Sequence, residues 1–121
     1  MSEEKKEIIK HPKDKKEFEQ ILAGKKPVLV DFFAEWCGPC QMMGPMLDEM
    51  IKTYKNIDKV EIVKVDTDKI NDVAMDFNIM SVPTFMLFNR KGEAVETMVG
   101  MRSTDEFEEK LDRLIAEKIE E

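Results

Sequence analysis

Both cysteines of this 121-residue chain sit in one pentapeptide, Trp36-Cys37-Gly38-Pro39-Cys40, and that placement constrains the chain more than any other feature. To its left lies a dense apolar run, Val28-Leu29-Val30-Asp31-Phe32-Phe33-Ala34, which reads as a buried strand. To its right, from Gln41 to Tyr54, Met42, Met43, Met46, Leu47, Met50 and Ile51 recur at helical spacing. The pair therefore falls where a strand ends and a helix begins. The N–H groups of a first helical turn have no intrahelical partners, and the helix dipole places partial positive charge there. A thiolate is stabilised at such a point, and the thiolate is the reactive form of cysteine.

Three uses of the pair compete. A structural disulfide across two intervening residues closes too short a loop to staple much of a fold. Tetrahedral zinc needs four ligands, and the chain offers two Cys and one His, with His11 far away in the sequence. A redox-active dithiol in a strand–helix context is the third use, and the surroundings favour it.

Bulk properties narrow the setting. At 42% apolar and 37% charged residues, the composition is that of one globular domain spanning residues 1–121. A formal net charge of −7 argues against nucleic acid and anionic membrane as partners. Residues 103–121 hold eight Asp/Glu and three Lys/Arg, the composition of a solvated helix face. No segment approaches the ~18 apolar residues of a membrane span. The charged start, Met1-Ser2-Glu3-Glu4-Lys5-Lys6, is followed by no apolar core, so no signal peptide is expected. A lone cysteine pair without a secretion signal fits a reducing, cytoplasmic setting. His11 is expected at the surface without a role.

The remaining elements follow in order. Glu7–Lys10 is a short edge strand. Asp14 caps a helix that runs through Leu22, with Gly24 as its stop. Val60–Asp66 is a strand, and Ile70–Phe77 a short helix. Thr84–Asn89 and Ala94–Val99 are strands joined by the turn Arg90-Lys91-Gly92-Glu93. Ser103, with Glu106 at capping-box spacing, opens a last helix whose inward face is Phe107, Leu111, Leu114 and Ile115. The order βαβαβαββα predicts an α/β fold with parallel pairing and one antiparallel hairpin.

The segment Val28–Cys40 resembles the active-site segment of the thioredoxin family. Val82-Pro83-Thr84 resembles the family's cis-proline loop, Val99-Gly100 the glycine near its last strand, and Pro45 the proline that kinks its active-site helix. The likeness runs from about Ile8 to Ile115. One departure stands out: the family often carries Trp where this chain has Phe33. The resemblance implies the thioredoxin fold, a central five-stranded mixed sheet flanked by four helices. It also implies a reductant of protein disulfides that binds no cofactor and is re-reduced by a flavin-dependent thioredoxin reductase drawing on NADPH. Disulfide-containing client proteins and that reductase are then its partners, with no nucleic acid and no membrane, and it works as a monomer. The competing roles are a thioredoxin-like docking subunit, which needs no thiolate, and a disulfide oxidase or isomerase.

Each site residue then has an expected part. Cys37, at the helix start, is the attacking thiol and should be the more exposed and more acidic of the two; helix-start cysteines have pKa values of roughly 3.5–7.5. Cys40, one turn further in, resolves the mixed disulfide. Gly38 lets a partner's backbone approach, and Pro39 fits the first helical turn. Neither adds charge, which leans toward a reductant. Asp31 is the one charged residue in an apolar strand, so a buried carboxyl with a raised pKa is expected. By resemblance it lies beneath Cys40 and takes that thiol's proton, and Lys64 in the neighbouring strand moderates its charge; a hydrogen-bonded structural Asp and a solvent-facing Lys are the ordinary alternatives. The resemblance also implies that Pro83 is cis and that Val82 offers backbone hydrogen bonds to an extended substrate. Trp36, beside Glu35 and Gly38, is expected as an exposed contact residue. Of the ten methionines, Met46 and Met50 are expected to fill the core. Met80 and Met101, on the loops before Pro83 and after Gly100, should join Trp36 and Val82 in an apolar docking rim.

Overall fold

The computed structural model describes residues 8–118. Glu7 of the expected first strand, the first six residues and the last three lie outside the described residues. The elements in chain order are β1 (Ile9–Lys10), α1 (Lys15–Leu22), β2 (Val28–Phe33), α2 (Gly38–Thr53), a 3₁₀ turn (Ile57–Lys59), β3 (Glu61–Asp66), α3 (Asn71–Asp76), β4 (Thr84–Phe88), β5 (Ala94–Val99) and α4 (Thr104–Ala116). Five strands form one sheet in the order β1-β3-β2-β4-β5, with β1, β3 and β2 parallel and β4 and β5 antiparallel to their neighbours.

β2 is the central strand, and its residues alternate between two cores. Val28, Val30 and Phe32 face a layer that includes Phe18 of α1, Val73 of α3, Val63, Val65, Met86 and Phe88. Leu29 faces the other layer, with Met43, Leu47, Met50 and Ile51 of α2 and Phe107, Leu111 and Leu114 of α4. Strand side chains alternate with period two, so Asp31 shares the face of Leu29 and lies toward α2 and α4. The first layer is an aromatic cluster: Phe77 meets Phe18 and Phe88 edge-on, with ring centroids 6.0 and 5.4 Å apart.

The helix ends obey capping chemistry. Asp14 Oδ1 accepts the Glu17 N–H at 2.8 Å at the head of α1. Ser103 Oγ accepts the Glu106 N–H at 3.3 Å at the head of α4. The capping box there is half formed, because the Glu106 carboxylate pairs with Lys110 at 2.8 Å and Arg102 at 3.5 Å. Asn89 leaves β4 for the turn, where its Oδ1 accepts the N–H groups of Lys91 and Glu93. Gly92 completes that turn at φ +79°, and a Cβ there would lie 3.0 Å from the Leu22 carbonyl oxygen. α3 is shorter than expected: Ile70 and Phe77 flank it as caps.

Two methionine expectations part ways on α2. Met50 is buried, but Met46 is 37% exposed and Met42 more so. Cys40, Met43, Leu47, Met50 and Ile51 complete the inward stripe at spacings of three and four, which leaves Met42 and Met46 on its flank.

Candidate active site

The helix α2 begins three residues before the apolar spacing shows, because a sulfur caps it. Cys37 is in extended conformation (φ −87°, ψ 114°), and its Sγ accepts the Cys40 N–H at 3.2 Å. Pro39 lies in the first turn, where no donor is required of it. Cys37 and Cys40 are joined as a disulfide with their Cα atoms 5.3 Å apart. The helix dipole and an N–H donor thus converge on Cys37 Sγ, an arrangement that favours negative charge there.

Cys37 is not the more exposed of the two, contrary to expectation: the residues are 4% and 5% exposed. Cys37 packs with Ala34, Cys40, Phe33 and Val82. The Val82 carbonyl oxygen lies 3.6 Å from Cys37 Sγ. The Val82–Pro83 peptide is cis. The Pro83 carbonyl accepts the Gly100 N–H at 2.9 Å, which ties the end of β5 to the loop before β4. Gly100 has φ +91°, so the backbone itself calls for glycine there. A Cβ at Gly38 would meet nothing within 4 Å, so the space above the helix start is open.

Trp36 is 72% exposed, and its Nε1–H donates to Asp68 Oδ2 at 3.0 Å. Asp68 follows β3, whose end is held by Thr67 N–H to the Phe33 carbonyl at 2.9 Å. Sequence reading missed Asp68; no local pattern marks a partner 32 residues away. Met80 and Met101 are both exposed.

Asp31 is 1% exposed, and neither carboxylate oxygen accepts a hydrogen bond. No protein group supplies the hydrogen bond that a purely structural Asp would use. Burial pushes its pKa up to about 6, and the charge of Lys64 restrains the rise. Lys64 pairs with Asp31 across β2 and β3, and Phe85 flanks it from β4. The Lys64 ammonium sits 4.8 Å from the centroid of the Phe33 ring, a cation–π contact, and makes no ion pair with Asp31 within 4.0 Å. Lys64 is thus half-buried rather than solvent-facing. His11 is exposed and near Lys64, and partial burial followed by that charge lowers its pKa. Among the described residues, no group of three or more His, Cys, Asp or Glu is arranged to hold a metal ion.

A disulfide whose first sulfur caps the helix after the central strand, on a mixed five-stranded sheet, defines a thiol–disulfide oxidoreductase. The comparisons make the family specific. The thioredoxin family model matches residues 9–113, and the chain belongs to the thioredoxin family. A thioredoxin from Alicyclobacillus acidocaldarius is 42% identical over 94 residues, covering 78% of this chain and 87% of that one. Thioredoxin 1 of Synechococcus elongatus is 46% identical over 82 residues, 68% of this chain and 74% of its own. Among solved structures, Plasmodium falciparum thioredoxin matches with a TM-score of 0.74 at 36% identity, covering 86% and 97% of the two chains. Oxidised mitochondrial thioredoxin 3 of Saccharomyces cerevisiae matches at 0.76 and 30% identity, covering 91% and 99%. Its activity is accordingly that of a protein-disulfide reductase with Cys37–Cys40 as the redox pair. It binds no cofactor, is reduced by thioredoxin reductase, and acts on client proteins that contain disulfides.

Proposed function

We propose that Cys37 is the attacking sulfur and Cys40 the resolving one. The Cys37 thiolate attacks one sulfur of a client disulfide, the client S–S bond breaks, and the other client sulfur leaves as a thiolate. Cys40 gives its proton to Asp31, attacks Cys37 Sγ, and expels the second client thiolate. Two electrons pass to the client, and the Cys37–Cys40 disulfide remains. The observation that carries this order is the 3.2 Å hydrogen bond from the Cys40 N–H to Cys37 Sγ, which favours charge on Cys37. Asp31 suits the base role because it is buried, unpartnered and titrates near neutrality. Lys64 acts by holding that pKa down.

Client docking is assigned to Trp36, Val82, Pro83, Gly100, Met80 and Met101 around the open space at Gly38 and Pro39. An extended client segment would hydrogen-bond the Val82 backbone and rest on the exposed apolar side chains. The chain works as a single domain over residues 1–121 and as a monomer. Its setting is the cytoplasm; similar proteins include one described as chloroplastic and one as mitochondrial. With a net charge of −7 it has no nucleic-acid or membrane partner, and no described helix is long and apolar enough to cross a membrane.

The test is trapping from a lysate whose client disulfides are intact, with each variant added in its thiol form. Cys40→Ser accumulates mixed disulfides with clients, and Cys37→Ser accumulates none. Trapping by Cys37→Ser instead would reverse the two roles.

A further inference from the structure

Nothing in the dithiol reaction uses methionine, yet thioethers stand exposed on both loops beside it. Met80 is 91% exposed, and it is two residues from Val82, whose carbonyl oxygen is 3.6 Å from Cys37 Sγ. Successive Cα atoms are about 3.8 Å apart, so the Met80 Cα lies within about 7.6 Å of the Val82 Cα. Met101 is 43% exposed and follows Gly100, whose N–H is bonded to the Pro83 carbonyl. By contrast Met43, Met50, Met86 and Met98 are buried in the two cores. Met42, Met46 and Met75 are exposed too, but they are on α2 and α3 rather than on the loops before β4 and after β5. Exposure therefore divides the methionines among the described residues into shielded and oxidisable sets, and position singles out Met80 and Met101 within the second.

We propose that Met80 and Met101 form a peroxide-modified site that turns client docking down while leaving the thiol chemistry intact. The inference rests on the docking-rim reading above. A thioether lone pair attacks the distal oxygen of a peroxide, the O–O bond breaks, and the departing alkoxide or hydroxide takes up a proton. Sulfur is oxidised by two electrons to the sulfoxide and the peroxide is reduced to an alcohol or water. The product is polar, so two adaptable apolar contacts become poor ones for an apolar client segment. Thioethers do not ionise, so the modification proceeds across the pH range in which thiols fall silent. It also proceeds while Cys37 and Cys40 are tied up as the disulfide, and methionine sulfoxide reductases reverse it.

The test uses the whole chain in its disulfide form, treated with hydrogen peroxide and then freed of it. Peptide mass spectrometry should find added oxygen on Met80 and Met101 before Met43, Met50, Met86 or Met98. The kcat/KM for insulin should fall roughly fivefold, the scale of losing one or two partly covered apolar contacts. Turnover of a small aromatic disulfide should not change, and MsrA with MsrB should restore the insulin rate. The treated-to-untreated ratio is then compared between variants. It should return to one in Met80→Leu/Met101→Leu and stay depressed in Met42→Leu/Met46→Leu/Met75→Leu. An unchanged ratio in the first variant, or full insulin activity with both sulfoxides formed, overturns the proposal. The rim is tested separately by Met80→Ser/Met101→Ser without peroxide. If that variant reduces insulin as wild type does, the docking reading itself fails. If it is slow while peroxide leaves wild type unaffected, the rim stands and the modification site falls.

Discussion

The two faces of β2 are built from one hexapeptide and put to different uses. Val28, Val30 and Phe32 face α1 and α3 among aromatic rings, with no titratable group in that cluster. Leu29, Asp31 and Phe33 alternate with them toward α2, and there the strand carries a buried acid and a ring that holds the Lys64 ammonium. A face made wholly of apolar contacts gains stability from everything it buries. A face that buries Asp31 without a hydrogen bond loses some, and gains a group that titrates near neutrality. The difference teaches that one residue of register, about 3.3 Å along a strand, separates a wholly apolar face from one that carries a titratable group.

The largest effect that would sharpen this contrast is on the apolar face. Phe32→Ala should destabilise the chain by about 3–5 kcal/mol, the cost of an emptied aromatic site. The protein that remains folded should reduce insulin at the wild-type rate. Urea unfolding beside a rate normalised to folded protein checks it, and a slowed normalised rate would break the separation.

Asp31→Asn should act in the opposite sense. With a folded pKa of about 6 against 3.8, ionising Asp31 in the fold costs about 3 kcal/mol at neutral pH. The native state binds more protons than the unfolded state between those values, so wild-type stability is greatest below pH 4 as far as this group is concerned. It falls as pH rises through about 6 and then levels off. The Asn variant should lack that fall and be the more stable at pH 7. Its resolution of the mixed disulfide should slow on the order of a hundredfold at neutral pH and recover in alkali. Stopped-flow turnover and unfolding at several pH values decide it; a less stable variant with normal resolution would remove Asp31 from the chemistry.

Lys64→Gln gives the smallest effect. Removing the cation that restrains the Asp31 pKa should raise it above about 6 and carry the pH profile of resolution upward with it. Stability at neutral pH should fall by less than about 1 kcal/mol. An unmoved profile would mean that the cation–π contact with Phe33 is all that Lys64 provides.

Much of this was legible before any coordinates. Val28–Phe33 and Ala94–Val99 announce themselves as β-branched and aromatic runs, and Asp14 and Ser103 mark helix starts by the chemistry of a side-chain oxygen. The strand-to-helix setting of the cysteines needed only local spacing. What local spacing could not give was non-local. The register that sets Lys64 opposite Asp31, reached only through the family resemblance, joins segments more than thirty residues apart. So does the Trp36–Asp68 bond, and so does the link from α2 to α4, where Tyr54 Oη donates to Asp112 Oδ1 at 2.6 Å. Met46 misled because an apolar side chain at helical spacing says which residues can be buried, and neighbouring elements decide which are. The exposure of Cys37 misled because a first-turn position was read for an open thiol, and Ala34, Phe33 and Val82 pack against it.

The three capped helices carry one further consequence. At the heads of α1 and α4 an oxygen of Asp14 or Ser103 receives the N–H three residues on; at the head of α2 the receiver is Cys37 Sγ. The reactive atom occupies a slot that the chain elsewhere fills with inert atoms, and serine is among the best residues for such a slot. Cys37→Ser therefore takes away the electrons and keeps the helix start. A chain so altered is a decoy, with the surface that clients and reductase meet and nothing to exchange with either. Mixed with the active form, it competes for both.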